Sequence, residues 1–351
     1  MARKIEGILG DQQSMSLLTP ASEVIQRHLE HFTDRHVILA GDIQDELAAT
    51  LEAASVRVLT NQYHRWQNLH SLMGDSVKFA AVADADFVRP CNTLIYFWPK
   101  NKQEACFQLD DLCTHLTTGS QIFIVGENRS GVKSAESIME GIATLQKIDS
   151  ARRCGLYYGE LEQPTDFDIT RWWRRYEVEN VQIQALPGVF SHNELDIGSE
   201  LLLSTLNEPI TGNLLDIACG NGVLAAVVGS HNPNVTLTLS DVSAAAIASS
   251  IATLQANQLT GKVLASDAYS DINDTFDWII SNPPFHDGLN TSYSAAENMI
   301  FQAPKYLKKG GRLRIVANAF LPYPDMLDKA FGSHEVLAKT GKFKVYQAIK
   351  R

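Results

Sequence analysis

The sequence predicts an α/β architecture, with strands and helices alternating to make parallel sheets covered on both faces, built twice along one chain. Three observations carry this prediction. Short apolar runs alternate with helical patterns over most of the chain. The 351 residues, 45% of them apolar, are enough for two domains that each bury a core. The two halves also resemble each other: residues 94–100 line up with 279–285, and 115–125 with 306–316.

In the first half a helix is expected from residue 19, where Thr19-Pro20 makes a good cap and first turn. Strands follow at 37–40, 56–60, 79–82, 93–98 and 121–125, with helices at 46–54 and 104–116 and a helix or loop at 63–73. The polar stretch 160–168, with Pro164, reads as the linker. Residues 169–176 read as a helix, and 181–185 alternate as a strand. Residues 1–15 are polar and unpatterned and read as a leader, Met15 being a plausible start.

The second half is richer in chemistry. The apolar strand Leu214-Leu215-Asp216-Ile217 breaks into Ala218-Cys219-Gly220-Asn221-Gly222 and opens a helix at Val223. Such glycines permit close backbone approach to a nucleotide-like ligand. A second strand ends in Ser240-Asp241, an acid well placed for ribose hydroxyls, and a third ends in Ser266-Asp267-Ala268. Gly198-Ser199 reads as the start of a helix over 200–206, and 343–349 as the edge strand closing the sheet.

The strand 278–280 then runs into Ser281-Asn282-Pro283-Pro284-Phe285. The prolines end it abruptly and hold Asn282 at the carboxyl end of a central strand, where open α/β sheets bind ligands. The Asn282 side-chain oxygen and the Pro283 carbonyl are two neighbouring acceptors, suited to the two hydrogens of a planar –NH2 group. Phe285 is placed to stack on a planar base or amide. By itself this tetrad also fits a strand followed by a stiff turn with a capping Asn, since short motifs recur by accident.

The ordered series of glycine turn, Asp241, Asp267 and Asn-Pro-Pro-Phe resembles the class I S-adenosylmethionine-dependent methyltransferases that act on amino nitrogens. With Pro187-Gly188-Val189-Phe190-Ser191, Leu195-Asp196-Ile197-Gly198-Ser199 and the stretch 314–324, the chain is similar to the bacterial 16S rRNA guanine-N2 methyltransferases from about residue 18 onward. The resemblance implies two tandem Rossmann-like class I methyltransferase domains arisen by duplication. The first, 16–160, would be degenerate, supporting and RNA-binding; the second, 169–351, catalytic. It implies S-adenosylmethionine as cofactor, held by Asp216, Gly220, Gly222, Asp241, Asp267, Ala268 and Asn282, with 195–199 lining the pocket. It assigns catalysis to Asn282, Pro283 and Phe285. The implied substrate is 16S rRNA within the small ribosomal subunit. Many relatives carry glycine where Ala218 stands, a change of little consequence unless the position needs a positive φ. Adenine N6, a protein glutamine, or a non-enzymatic assembly role remain as alternatives. The first copy lacks the chemistry: Phe97 stands opposite Asn282, Lys100 opposite Phe285, and Ala40-Gly41-Asp42-Ile43-Gln44 has no second glycine.

Composition narrows the rest. No apolar run reaches the roughly 18 residues of a membrane span. Five cysteines without C-x-x-C spacing argue against metal or a disulfide framework and fit a reducing cytoplasm. Cys219 reads as a small spacer, since no motif supplies it with a base. A net charge of −10 disfavours a sequence-independent phosphate binder but not local RNA recognition. The candidate RNA contacts are Arg152-Arg153, the run Arg171-Trp172-Trp173-Arg174-Arg175, the group Lys305, Lys308, Lys309, Arg312 and Arg314, and the basic tail 342–351, with the Arg-Trp run foremost. Two halves packed as a pseudo-dimer would favour a monomer.

Overall fold

The computed structural model describes residues 17–284 and 289–351. The expected leader and residues 285–288, Phe285 of the tetrad among them, lie outside the described residues. Thr19 caps the first helix, Pro20–Gln26, its hydroxyl accepting the Ser22 backbone N–H.

The first sheet contains β1 (His36–Gly41), β2 (Ser55–Thr60), β3 (Val77–Phe79), β4 (Thr93–Phe97), β5 (Gln121–Glu127), β6 (Gln146–Ala151) and β7 (Cys154–Glu160). Its spatial order is β3-β2-β1-β4-β5-β7-β6. The first five strands run parallel, and β7 pairs antiparallel to both β5 and β6. The two-residue period is explicit in the cores: Ile38, Leu94 and Ile122 pack in one cluster, while Val37, Leu39, Ile95 and Phe123 pack in another.

A hairpin of β8 (Arg174–Val178) and β9 (Val181–Ala185) follows. The second sheet has β10 (Gly212–Ile217), β11 (Val235–Asp241), β12 (Gly261–Ala265), β13 (Phe276–Ser281), β14 (Leu307–Asn318), β15 (Glu335–Lys339) and β16 (Phe343–Ile349). Its order, β12-β11-β10-β13-β14-β16-β15, repeats the first sheet strand for strand. The chain is thus two tandem Rossmann-like domains. In each, the order reverses beside the first strand, which opens a crevice at the carboxyl ends of β1 and β4, and of β10 and β13.

Several expectations need correcting. The helix expected over 169–176 is a short 3-10 turn, Ile169–Arg171, followed by β8. The hairpin that forms β8 turns at Glu179 and Asn180, both left-handed at φ 48° and 66°. Arg152 and Arg153, a basic cluster in the sequence, stay exposed and form the left-handed turn (φ 52° and 59°) between β6 and β7, which leaves that reading unchanged. Strand 343–349 is not the edge: β16 lies between β14 and β15, and the more exposed β15 closes the sheet. The helix expected at 46–54 spans only Leu47–Thr50, and the strand expected at 79–82 lies at Val77–Phe79.

Candidate active site

The glycine turn connects β10 to the helix Val223–His231. Ala218, Gly220 and Gly222 all have positive φ, at 58°, 56° and 79°. At Gly222 a Cβ would lie 3.1 Å from Ser250 Oγ and 3.2 Å from Ser250 Cα, because the helix Ala244–Ala256 passes directly against the turn. At Gly220 the only atom of the described residues near such a Cβ is the Phe190 carbonyl oxygen, 3.8 Å away. Gly222 is therefore demanded by packing, whereas Gly220 leaves an open backbone edge that a ligand can approach. Ala218 is at the positive φ that makes glycine the easier residue, so the alanine carries strain.

Asp216 is wholly buried. Its Oδ2 accepts the Ala225 backbone N–H at 3.3 Å, and its Oδ1 has no partner among the described residues. Burial pushes its carboxyl up to about 8, against the pull of the Ala225 N–H. Asp216 thus shapes the turn and the helix start from behind and presents no surface to the crevice. Burial likewise raises the Cys219 thiol far above its ordinary range. The Cys219 sulfur lies 3.2 Å from Ser250 Oγ, in keeping with a spacer.

Asp241 ends β11 with both oxygens engaged: Oδ2 accepts the Gly220 N–H and Oδ1 the Ser243 N–H, each at 2.9 Å. The glycine turn and this carboxylate are one unit. Burial raises the Asp241 carboxyl, and the backbone N–H groups of Ser243, Gly220 and Val242 oppose the shift. Each oxygen retains acceptor capacity for a hydroxyl. Beyond β12, Asp267 has an exposed side chain, and its N–H donates to Ser270 Oγ at 3.0 Å. Ala268 turns the chain at φ 49°.

Asn282 follows β13 and is 9% exposed. Its Nδ2 donates to Asp196 Oδ2 at 3.1 Å and to Ser199 Oγ at 2.9 Å. With the amide hydrogens committed there, the orientation of the group is set and Oδ1 lies on the opposite branch. Donation to a carboxylate also draws electron density toward Oδ1 and makes it a better acceptor. Pro283 is buried and Pro284 exposed. Ser281 Oγ donates to the Ile217 carbonyl at 2.7 Å, tying β13 to β10 where the tetrad begins.

Asp196 and Ser199 were legible only as residues of a pocket-lining stretch and a helix start. In the structure Asp196, not Gly198 or Ser199, caps the helix Ile197–Ser204, taking the Ser199 N–H and the Asn282 amide on one oxygen. Gly198 allows this approach, since a Cβ there would lie 2.9 Å from Asp196 Oδ2. Tyr176 and Asn221 were missed altogether. Asn221 Nδ2 donates to the Tyr176 hydroxyl and to the Ser191 carbonyl, so the β8–β9 hairpin and the 187–191 segment brace the glycine turn.

The foremost RNA candidate divides. Trp172 and Trp173 are half-buried, and Trp172 packs edge-on against Phe107 of the first domain and donates to Asp110 Oδ2 at 3.2 Å. These tryptophans belong to an apolar cluster with Leu186, Val189, Ala245 and Ala246 that joins the domains. Arg171, Arg174 and Arg175 are exposed. Arg314 is 2% exposed and bonded to Gln347, the Thr205 carbonyl and Glu208, so it serves the core. In the first domain the Asp42 N–H donates to the Phe97 carbonyl at 2.8 Å, and Tyr96, Phe97 and Trp98 are buried at that end of β4. No helix among the described residues is long and apolar enough to cross a membrane.

Comparison with known proteins agrees with this arrangement. Residues 22–176 match the family model "Methyltransferase small domain N-terminal", and 180–347 match "Methyltransferase small domain". Two curated proteins named ribosomal RNA small subunit methyltransferase C are similar over nearly the whole chain. That of Photorhabdus laumondii is 64% identical and that of Proteus mirabilis 63%, each over 96% of this chain and 100% of the relative. A solved structure of the Thermus thermophilus 16S rRNA N2 G1207 methyltransferase RsmC, with AdoMet and guanosine, shares the fold. It superposes with a TM-score of 0.81 at 22% identity, covering 95% of this chain and 92% of that one. Sixty-four per cent identity across both domains leaves one assignment: the chain belongs to the ribosomal RNA small subunit methyltransferase C family.

Proposed function

We propose that this protein transfers a methyl group from S-adenosylmethionine to the exocyclic N2 of a guanine in 16S rRNA, the counterpart of the G1207 for which the Thermus relative is named. One observation carries the reading: the buried Asn282 amide is oriented by Asp196 and Ser199, so that a defined acceptor stands at the carboxyl end of β13.

S-adenosylmethionine brings an electrophilic methyl group on a sulfonium. The chain's own residues fit the rest of that molecule. The open Gly220 edge admits close approach, Asp241 offers acceptors for ribose hydroxyls, and Asp267 with Ala268 borders the adenine side. The guanine leaves its stack to reach the crevice. Asn282 Oδ1 and the Pro283 carbonyl would accept the two N2 hydrogens, Phe285 would stack on the ring, and the nitrogen lone pair would thereby be left to face the methyl donor. Two oriented acceptors stabilise the cationic charge that develops on N2, so positioning and electrostatics carry the rate. The extra proton passes to water after transfer. Asp216 contributes indirectly, by holding the helix start under the glycine turn. The first domain is assigned a supporting and RNA-holding role, with the buried aromatics at the end of β4 occupying the place of a second cofactor crevice. The substrate is taken as the assembled small subunit, met in the cytoplasm by a monomer.

The test offers labelled S-adenosylmethionine with unmethylated small subunits, naked 16S rRNA or a protein fraction, followed by nucleoside analysis. Label in N2-methylguanosine, stronger with subunits, supports the reading. Label in adenosine or protein keeps the Asn282 chemistry and overturns the substrate. Binding of the cofactor without transfer to any of the three would make the protein an assembly factor.

A further inference from the structure

The two domains meet at equivalent places. Asn61-Gln62-Tyr63 follows β2 of the first sheet, and Asp241-Val242-Ser243 ends and follows β11 of the second. The segments pair as a short antiparallel bridge, Gln62 opposite Ser243. The Tyr63 N–H donates to the Val242 carbonyl at 2.7 Å, and the Ala244 N–H donates to the Asn61 carbonyl at 2.9 Å. Asn61 Oδ1 also accepts the Ala245 N–H at 2.9 Å. The backbone just after the ribose-side acid is therefore held by the other domain.

Tyr63 reaches further. Its hydroxyl donates to Asp271 Oδ1 at 3.0 Å. Asp271 closes the turn that carries Asp267 and Ala268, its N–H donating to Ser266 Oγ at 3.1 Å and its Oδ2 accepting from Ser270 Oγ at 2.8 Å. One residue of the inactive domain thus grips the loop after β11 with its backbone and the loop after β12 with its phenol. The next residue, His64, lies near enough to Asp267 to feel its charge, although burial and Arg65 both disfavour the imidazolium.

We propose that Tyr63 is a positioning residue for the cofactor's nucleoside, setting the separation of the ribose-side and adenine-side loops across the domain seam. The inference rests on the cofactor site described above. Because a domain lacking its own crevice chemistry completes the site of its neighbour, the seam and the site are coupled: whatever loosens one weakens the other. The ring of Tyr63 also stacks on Trp66, with centroids 5.6 Å apart, so Tyr63→Phe removes the hydroxyl and keeps the packing.

The experiment is calorimetric titration of wild type and Tyr63→Phe with S-adenosylmethionine and with S-adenosylhomocysteine, beside rRNA methylation kinetics. Loss of one hydrogen bond to a carboxylate should raise both dissociation constants about threefold to tenfold. kcat at saturating cofactor should stay within about twofold, and KM for rRNA should not move, because the Asn282 geometry lies on another loop. Asn61→Ala should act in the same direction from the ribose side alone. Equal affinities in wild type and Tyr63→Phe, or a fall in melting temperature with unchanged affinity, overturn the proposal. A wild type that binds neither ligand overturns the cofactor site itself, a different result.

Discussion

The Asn282 amide nitrogen lies 2.9 Å from the Ser199 hydroxyl, two residues inside a helix whose cap, Asp196, takes the same amide at 3.1 Å. A helix start 83 positions upstream therefore orients the tetrad's amide. Without these two acceptors the Asn282 side chain would gain a rotamer and an amide flip, and its oxygen would no longer be held in one place.

Asn282→Ala should lower kcat by about a hundredfold or more, the scale of one lost transition-state acceptor, while the S-adenosylmethionine dissociation constant stays within about threefold. Single-turnover methylation with calorimetry measures both. Ser199→Ala, which leaves Asp196 to orient the amide alone, should cost about fivefold to tenfold in kcat. Equal turnover in Asn282→Ala would remove the role given to this residue.

Asp241→Ala should act on binding. The change removes the acceptors proposed for the ribose hydroxyls and also frees the N–H groups of Gly220 and Ser243. A rise of at least about tenfold in the cofactor dissociation constant follows from losing two or more charge-assisted bonds. Unchanged affinity by calorimetry would contradict the assignment.

Ala218→Gly should stabilise the second domain. A non-glycine residue at φ 58° costs roughly 1–2 kcal/mol, and glycine's greater unfolded-state entropy returns part of that. The net gain is roughly 0.5 kcal/mol, read as a small rise in the midpoint of chemical denaturation.

Rising pH should weaken the fold. Burial raises Asp216 to about 8 and Glu104 and Asp111 each to about 7. Each binds a proton more tightly when folded than when unfolded, so its favourable contribution is complete below the unfolded value near 4 and is lost as pH climbs through the folded one. The denaturation midpoint should fall between pH 5 and pH 8.5, and Asp216→Asn, neutral throughout, should flatten that fall. A slope identical to wild type would mean that Asp216 is ionised in the folded protein at neutral pH.

Much was determined by sequence alone. The alternation of apolar runs and helical patterns depends on backbone period and burial, both local, and it located most strands of both sheets to within a residue or two. The glycine turn, Asp241, Asp267 and Asn282 stood out because chain direction and strand ends place them at one end of a parallel sheet. The tertiary structure decided what depends on partners distant in sequence. Residues 174–178 became a strand only because the left-handed pair Glu179-Asn180 folds them onto β9. Trp172 turned inward because Phe107, 65 positions away, offered its ring, and Asp196 acquired the Asn282 amide only when the helix it caps came against β14 and β16 of the second sheet. Hydrogen bonds and ring contacts of this kind form between surfaces brought together by packing, and no local pattern encodes them.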